Sequence, residues 1–167
     1  MKVAIIGQGY VGLTISAFAG ETCEVFGFDS NSRIVEQLNK GLSHIEGVES
    51  DQLKKLIKLG KYRATNNGSD ISDAEIVVIA VPTPLSKDRK PDLGFIDAAC
   101  RTIGENIRKP VLVINESTSF PGTLRNYIKP AIDYFGDGQP VQSFGLPYRI
   151  QLVHLKAASP KSPTLFD

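Results

Sequence analysis

A glycine-rich hexapeptide near the N-terminus has the spacing of a phosphate-binding turn. Residues 7–12 read Gly-Gln-Gly-Tyr-Val-Gly and directly follow the apolar run at 3–6. In a GxGxxG pattern Gly7 permits a tight turn, Gly9 lets a diphosphate approach the backbone, and Gly12 lets the next helix pack against the strand. The start of that helix offers unpaired N–H groups and the positive end of its dipole. The pattern therefore predicts a dinucleotide site between a strand and a helix.

An acidic residue follows the turn at the distance that a dinucleotide site requires. Asp29 comes 22 positions after Gly7 and directly after the apolar segment 24–28, close to the expected interval of about 20. Its carboxylate can accept hydrogen bonds from both ribose hydroxyls of an adenosine and would repel a 2′-phosphate, which favours NAD over NADP. Arg33, one helical turn further on, is either a contact to a phosphate or the adenine ring, or an exposed helix arginine. The alternative for the whole motif is that the glycines only shape a turn and Asp29 only caps the helix that begins near Asn31.

Two further apolar runs end in unusual polar sequences. Residues 81–84 read Val-Pro-Thr-Pro, and the prolines stiffen the turn so that the Thr83 hydroxyl can face a cofactor. Residues 116–119 read Glu-Ser-Thr-Ser and bring a carboxylate and hydroxyls that can orient a water or bind a nicotinamide ribose. The alternatives are a plain strand-ending turn in the first case and helix capping by Thr118 or Ser119 in the second. Because ligands bind at the carboxyl ends of parallel strands, both segments are candidate parts of one site.

Strand-like and helix-like segments alternate through the first 136 residues. Short continuous apolar runs are typical of strands buried on both faces, and apolar residues at helical spacing indicate helices between them. We predict strands at 3–6, 24–28, 62–65, 76–81 and 111–114, and helices at 10–20, 31–40, 50–59, 94–108 and 121–135. This order predicts an α/β fold, a Rossmann-type doubly wound, mainly parallel sheet with helices on both faces.

The C-terminal residues differ in composition from the rest of the chain. Residues 138–167 contain four prolines, and their only carboxylate side chain is that of Asp167. Beyond a candidate strand at 150–155 they show no convincing periodicity. We therefore predict a dinucleotide-binding domain at 1–136 and an atypical tail at 137–167.

The composition disfavours several classes of function. The 167 residues carry 19 Lys and Arg against 18 Asp and Glu, a net charge of +1, so no nucleic-acid partner is expected. No run of about 18 apolar residues is present, so no membrane partner is expected. Cys23 and Cys100 are too few for a disulfide framework and lack metal-ligand spacing. We expect two small buried hydrophobic residues, no metal site and a cytoplasmic location.

Taken in order, these segments resemble the UDP-glucose/GDP-mannose dehydrogenase family. The resemblance rests on residues 7–12, Asp29, residues 81–84, and Glu-Ser-Thr at 116–118 with Pro-Gly-Thr at 121–123, supported by segments 38–41, 45–47 and 91–93. It covers residues 1–136, which correspond to the N-terminal NAD-binding domain of the family. The Glu-Ser-Thr form is more similar to members that act on UDP-N-acetylhexosamines.

The resemblance implies an oxidoreductase that uses NAD. Family members oxidise the C6 alcohol of a nucleotide sugar to a carboxylate with two NAD, through a cysteine-bound thioester. The implied cofactor-binding residues are Gly7, Gly9, Tyr10, Val11, Gly12, Asp29, Arg33, Val81, Pro82, Thr83, Glu116 and Thr118. Thr118 would also have a catalytic role, because it would position the water or the developing oxyanion near the substrate. Arg33 stands where the family usually has a lysine.

Several motifs of the family are absent from this sequence. The residues after 136 contain neither the Ser/Cys-Pro-Glu-Arg motif of the catalytic glutamate nor the Gly-rich motif of the nucleophilic cysteine, and no glutamate follows Glu116. We therefore expect a truncated NAD-binding portion that is not catalytically complete alone. A UDP-sugar would be a partner only if the missing domain is supplied, and an uncovered apolar sheet edge would favour a homodimer. The tail is either a non-native ending, such as a frameshift, or a genuine short extension.

Two other functions stay open. A stand-alone dinucleotide-binding or redox-sensing module would use the same glycine turn and Asp29, but has less need of the hydroxyls at Thr83 and at residues 116–118. Another Rossmann enzyme, such as a short hydroxyacid dehydrogenase, is disfavoured because the sequence offers no plausible catalytic set of His or Lys residues.

Overall fold

The computed structural model describes residues 1–85, 87, 91–107, 109–119 and 121–136, and the backbone of two strands at 141–145 and 151–155. The strands are β1 (Lys2–Ile6), β2 (Glu24–Phe28), β3 (Tyr62–Thr65), β4 (Ile76–Ile79), β5 (Leu112–Asn115), β6 (Val141–Gly145) and β7 (Gln151–Leu155). The helices are α1 (Tyr10–Ala19), α2 (Ser32–Asn39), α3 (Ser50–Lys58), α4 (Gly94–Asn106) and α5 (Lys129–Phe135). A short 3-10 helix spans Gly68–Ile71, and a π-helical turn spans Leu124–Ile128.

The described strands form one seven-stranded sheet in the order β3-β2-β1-β4-β5-β7-β6. The first five pair in parallel, whereas β7 is antiparallel to β5 and to β6. The predicted doubly wound, mainly parallel fold is therefore confirmed. The strand expected at 150–155 is present as β7, and β6 was not predicted. Most of the predicted tail lies outside the described residues, and the domain boundary at 136 stays a prediction.

The two faces of the sheet are covered by different helices. Within β1, Val3 and Ile5 belong to one buried cluster and Ala4 and Ile6 to another, as expected for a strand buried on both sides. The first cluster includes buried side chains of α1, α2 and α3, and the second includes those of α4 and α5. The continuous apolar runs of the sequence follow from this double burial.

The last predicted helix is interrupted. Instead of a helix that starts at Pro121, a turn at 121–122 with Gly122 at φ +89° precedes the π-helical turn, and α5 starts at Lys129. Pro130 has no N–H group, and its ring would collide with the carbonyl of residue 126 in a regular helix. The π-helical turn meets this constraint, and its end is marked by the bond from the Lys129 N–H to the Leu124 carbonyl.

The described part of the chain lacks two features, a membrane-spanning helix and a metal-binding cluster. There, no helix is both long and apolar enough to cross a bilayer. Over the same residues, no group of three or more His, Cys, Asp or Glu side chains is placed to hold a metal ion.

Candidate cofactor-binding site

The carboxyl ends of the parallel strands bring the predicted segments to one edge of the sheet. The chain runs outward from β1 through β2 to β3, and then in the opposite direction through β4 to β5, so the direction reverses between β1 and β4. Backbone hydrogen bonds join the loops at this edge. The Gly7 N–H donates to the Phe28 carbonyl at 2.8 Å, and the Glu116 N–H donates to the Ile79 carbonyl at 2.9 Å. In doubly wound folds this is the position of the ligand.

Two glycines of the turn are required by the fold itself. Gly7 has φ +92°, and a Cβ there would lie 2.6 Å from the Ala80 carbonyl oxygen. A Cβ on Gly12 would lie 1.8 Å from the Gly7 carbonyl oxygen. Both positions are therefore closed to larger residues, because β1, the turn, α1 and the end of β4 are in direct backbone contact.

Gly9 differs from the other two glycines. A Cβ there would have no heavy atom within 4 Å, and its φ of −74° is open to any residue. Gly9 is the N-cap residue of α1, no side chain caps that helix end, and its first turn has no acidic residue. The described protein thus leaves open space at a helix N-terminus, which suits a phosphate group.

Asp29 is bonded to the glycine turn. Its Oδ2 accepts a hydrogen bond from the Gln8 N–H at 2.9 Å, and its Oδ1 accepts one from the Asn31 N–H at 2.9 Å. The cap of α2 is Asn31, whose side chain accepts from the Arg33 N–H at 3.1 Å. The reading of Asp29 as only a helix cap is therefore wrong. Each carboxylate oxygen keeps a second lone pair that can accept from a hydroxyl.

Arg33 lies in the first turn of α2. Its side chain is exposed and forms no ion pair with a described residue. Tyr10 and Val11, in the first turn of α1, are 66% and 53% exposed. The first turns of both helices therefore leave these side chains accessible.

The ends of β4 and β5 are joined by a buried serine. Ser117 Oγ accepts a hydrogen bond from the Val81 N–H at 3.0 Å and lies 3.4 Å from the Ile79 carbonyl oxygen. Glu116 and Thr118 on either side of it are exposed. Ser117 therefore has a structural role, whereas its two neighbours face outward.

The neighbouring segment at the end of β4 is partly accessible. Val81 and Thr83 are half-buried and Pro82 is exposed. Capping of the following helix by Thr118 or Ser119 is not observed, because that helix begins beyond residues 121–122 with Thr123 at its N-cap. Ser119 Oγ instead accepts a hydrogen bond from Asn115 Nδ2 at 3.3 Å.

A sequence profile of the UDP-glucose/GDP-mannose dehydrogenase family, NAD binding domain, matches residues 1–153. This chain belongs to that family. It is similar to the UDP-N-acetyl-D-mannosamine dehydrogenase of Pyrococcus horikoshii, with 40% identity over 125 residues, 74% of this chain and 30% of that protein. It is also similar to the UDP-N-acetyl-D-glucosamine 6-dehydrogenase of Pseudomonas aeruginosa, with 33% identity over 135 residues, 81% of this chain and 31% of that protein.

The structural comparison gives the same family. The GDP-mannose dehydrogenase of Pseudomonas aeruginosa, solved as a ternary complex, superposes with a TM-score of 0.76 at 31% identity, over 81% of this chain and 33% of that chain. The predicted family and the predicted cofactor, NAD, are confirmed. The chain spans about a third of the length of the relatives that it matches.

The cysteines of this NAD-binding domain are buried and unpaired, as predicted. Cys23 precedes β2 and so lies at the edge of the sheet opposite to the site. Cys100 is fully buried in α4, and burial, followed by the charge of Asp97, raises the pKa of its thiol to about 12. The Cys100 thiol is therefore not ionised to act as a nucleophile, and Cys23 does not lie at the site.

Sequence reasoning missed three residues beneath the glycine turn. Gln8, Ser16 and Tyr62 are buried, and the hydroxyls of Ser16 and Tyr62 both donate to Gln8 Oε1. The signals in the sequence were a serine in an otherwise apolar stretch of α1 and Gly27 within β2, and neither points to residue 8. The buried position of the Gln8 side chain depends on Tyr62 of β3, which the sheet order places beside β2.

Proposed function

We propose that this domain binds NAD along the carboxyl edge of the sheet, with the diphosphate against Gly9 and the adenosine ribose at Asp29. The observation that carries the proposal is the contrast among the three glycines. Gly7 and Gly12 are enforced by backbone contacts, whereas Gly9 borders open space at the N-terminus of α1. A residue without a side chain is explained there by a ligand that approaches the backbone.

The adenosine end of the proposed site is built around Asp29. Its two oxygens hold the turn and the start of α2, and their remaining lone pairs can accept from the ribose hydroxyls. A 2′-phosphate at this position would be repelled, so NAD is favoured over NADP. The exposed Arg33 guanidinium is available to a phosphate or to the face of the adenine ring.

The opposite end of the proposed site is formed by the strand ends of β4 and β5. Val81, Pro82 and Thr83 would contact the nicotinamide side of the cofactor, with Glu116 and Thr118 next to them. Tyr10 and Val11 would contact the cofactor from the first turn of α1. NAD supplies a hydride acceptor when bound. The part of this chain is to bind and orient it, and the Thr118 hydroxyl would hold a water or a developing oxyanion.

The proposed substrate is a nucleotide sugar, of the UDP-N-acetylhexosamine class. Support comes from the relatives, two of which are named as UDP-N-acetylhexosamine dehydrogenases, and from the Glu-Ser-Thr sequence at 116–118. Because neither cysteine lies at the site, the second oxidation would need a nucleophile from a further domain, so the described domain alone is not a complete enzyme. We further propose a cytoplasmic location, supported by two unpaired buried thiols, and a homodimer as the assembly.

Calorimetric titration of the purified chain with NAD and with NADP tests the site. We expect saturable NAD binding, weaker NADP binding, and at least a tenfold loss of NAD affinity in Asp29→Ala, the equivalent of one charge-assisted hydrogen bond. Asp51→Ala is the matched control, since Asp51 is exposed on α3 and, among the residues that the structure describes, pairs with Lys54 alone. A folded wild-type chain that fails to bind NAD, or an Asp29→Ala variant with unchanged affinity, would contradict the proposal.

A further inference from the structure

The side chain of Gln8 lies in the interior although the residue stands between two glycines of an exposed turn. It is fully buried. Its Nε2 donates to the Ile5 carbonyl at 3.0 Å and to the Gly7 carbonyl at 3.2 Å. Its Oε1 accepts from Ser16 Oγ at 3.0 Å and from the Tyr62 hydroxyl at 2.9 Å. The amide therefore joins β1, the turn, α1 and β3.

The hydrogen bonds of this amide are complete. A glutamine side chain has two N–H donors and two acceptor lone pairs on oxygen, and all four are used here. The two backbone carbonyls can only accept, so they fix the amide in one orientation. A fully satisfied buried network specifies a single arrangement of the groups that it joins.

The same residue also connects the turn to Asp29. The Gln8 N–H donates to Asp29 Oδ2, and the Gln8 side chain lies beside Gly27 of β2. A Cβ on Gly27 would lie 2.5 Å from Gln8 Oε1 and 2.7 Å from the Tyr62 hydroxyl oxygen. Gly27 is therefore explained as the residue that makes room for this network in the middle of β2.

Tyr62 keeps its proton under ordinary conditions. Burial, and then the negative charge of Asp29, raise the pKa of its phenol well above the usual value. The hydroxyl is consequently a permanent donor to Gln8 Oε1, and the network does not change with pH in the neutral range.

We propose that Gln8, Ser16 and Tyr62 are positioning residues for diphosphate binding: they hold the backbone of the glycine turn in register with α1 and with Asp29. This inference rests on the proposed placement of the diphosphate at Gly9. The three residues touch no ligand themselves and act through the turn. Removing one of these side chains is expected to lower the affinity of the chain for ligands that contain a diphosphate. The affinity for ligands without a diphosphate should stay nearly unchanged.

The test compares ADP-ribose with adenosine on the full chain, by calorimetry for the first and NMR titration for the second. Gln8→Met has similar volume and loses all four side-chain hydrogen bonds. We expect ADP-ribose affinity to fall about tenfold, the equivalent of one buried hydrogen bond, with adenosine affinity changed less than about twofold. Tyr62→Phe and Ser16→Ala, each removing one donor, should change ADP-ribose affinity in the same direction and by less.

Tyr127→Phe is the matched control. It removes a phenol hydrogen bond of 2.7 Å to Asp97, between the π-helical turn and α4. Tyr127 packs against the buried cluster on the face of the sheet opposite to α1. It should lower stability and leave both affinities unchanged. Equal losses for both ligands, or no loss for ADP-ribose, in the Gln8 variant would overturn the positioning role. A wild-type chain that binds ADP-ribose no better than adenosine would instead refute the placement of the diphosphate. If Gln8→Met does not fold, Tyr62→Phe and Ser16→Ala decide the question by the same comparison.

Discussion

Alanine substitution of two glycines in the same turn is expected to separate folding from ligand binding. In Gly12→Ala the new Cβ would lie 1.8 Å from the Gly7 carbonyl oxygen, whereas real Cβ contacts are essentially never below 3.0 Å. The turn and α1 must therefore move apart by at least 1.2 Å. Both groups are backbone, so no side chain can rotate away to relieve the contact.

The cost of this movement falls on the packing of α1 against the sheet. Leu13 and Ala17 of α1 are fully buried, and overpacking of a close-packed interior costs roughly 1–3 kcal/mol, occasionally more. Taking the upper part of that range, and about 2–4 °C per kcal/mol for a domain of this size, the Tm of Gly12→Ala should fall by about 6–12 °C.

Gly9→Ala should behave in the opposite way. Its Cβ enters open space and its backbone conformation is allowed to alanine, so the Tm should change by less than about 3 °C, the cost of a poorer N-cap. NAD affinity should fall at least about tenfold, since the methyl group occupies the space through which the diphosphate reaches the backbone.

Scanning calorimetry without ligand gives the Tm, and titration calorimetry gives NAD affinity. General destabilisation cannot produce both results, because the variant that loses stability is not the one with the specific binding defect. If Gly9→Ala binds NAD as tightly as the wild type, the diphosphate does not bind against Gly9. An unchanged Tm in Gly12→Ala would show that the turn and α1 are not in the contact described.

Three further predictions concern single side chains. Ser117→Ala leaves the Val81 N–H without its partner, so it should lower the free energy of unfolding by about 1–3 kcal/mol in urea titrations. Cys100 should not react with a thiol reagent such as DTNB until the chain unfolds, because burial raises its pKa to about 12; rapid labelling of the native protein would contradict this. Burial, and then the hydrogen bond to Asp97, raise the pKa of Tyr127 from 10.0 to about 12. The folded state therefore binds more protons between those values, and stability should fall from pH 10 to 12 more steeply in wild type than in Tyr127→Phe, as measured by urea midpoints.

The features that the sequence predicted correctly are determined by short stretches of chain. β1, the glycine turn and α1 are consecutive, and the helix contact at Gly12 needs no knowledge of the remaining fold. The strands were found because they are buried on both faces and so are continuously apolar. The sequence predicts that β4 ends at residue 81, whereas the strand ends at Ile79. The sequence does not show that the Val81 N–H bonds to the Ser117 side chain and not to a neighbouring strand.

The features that were missed depend on contacts between distant residues. The Gln8 side chain is held by Tyr62, 54 positions away, and a polar residue in a turn is ordinarily expected to face water. The interruption before α5 follows from Pro130, but a proline alone does not show whether a helix kinks, stops or forms a π-helical turn. In both cases the residue type was visible, and its consequence depended on a neighbour supplied by the tertiary fold.

In each motif at this edge of the sheet, some residues are required by contacts within the fold, and others make no contact that would require their residue type. Gly7 and Gly12 are explained by backbone contacts, whereas Gly9 borders empty space. Ser117 is explained by its bond to the Val81 N–H, whereas its neighbour Thr118 is exposed. Residues that are left unexplained by folding, and that lie together at the carboxyl ends of the strands, are those whose substitution should cost binding and not stability. That distinction, rather than the presence of a glycine motif, is what makes the proposed site testable residue by residue.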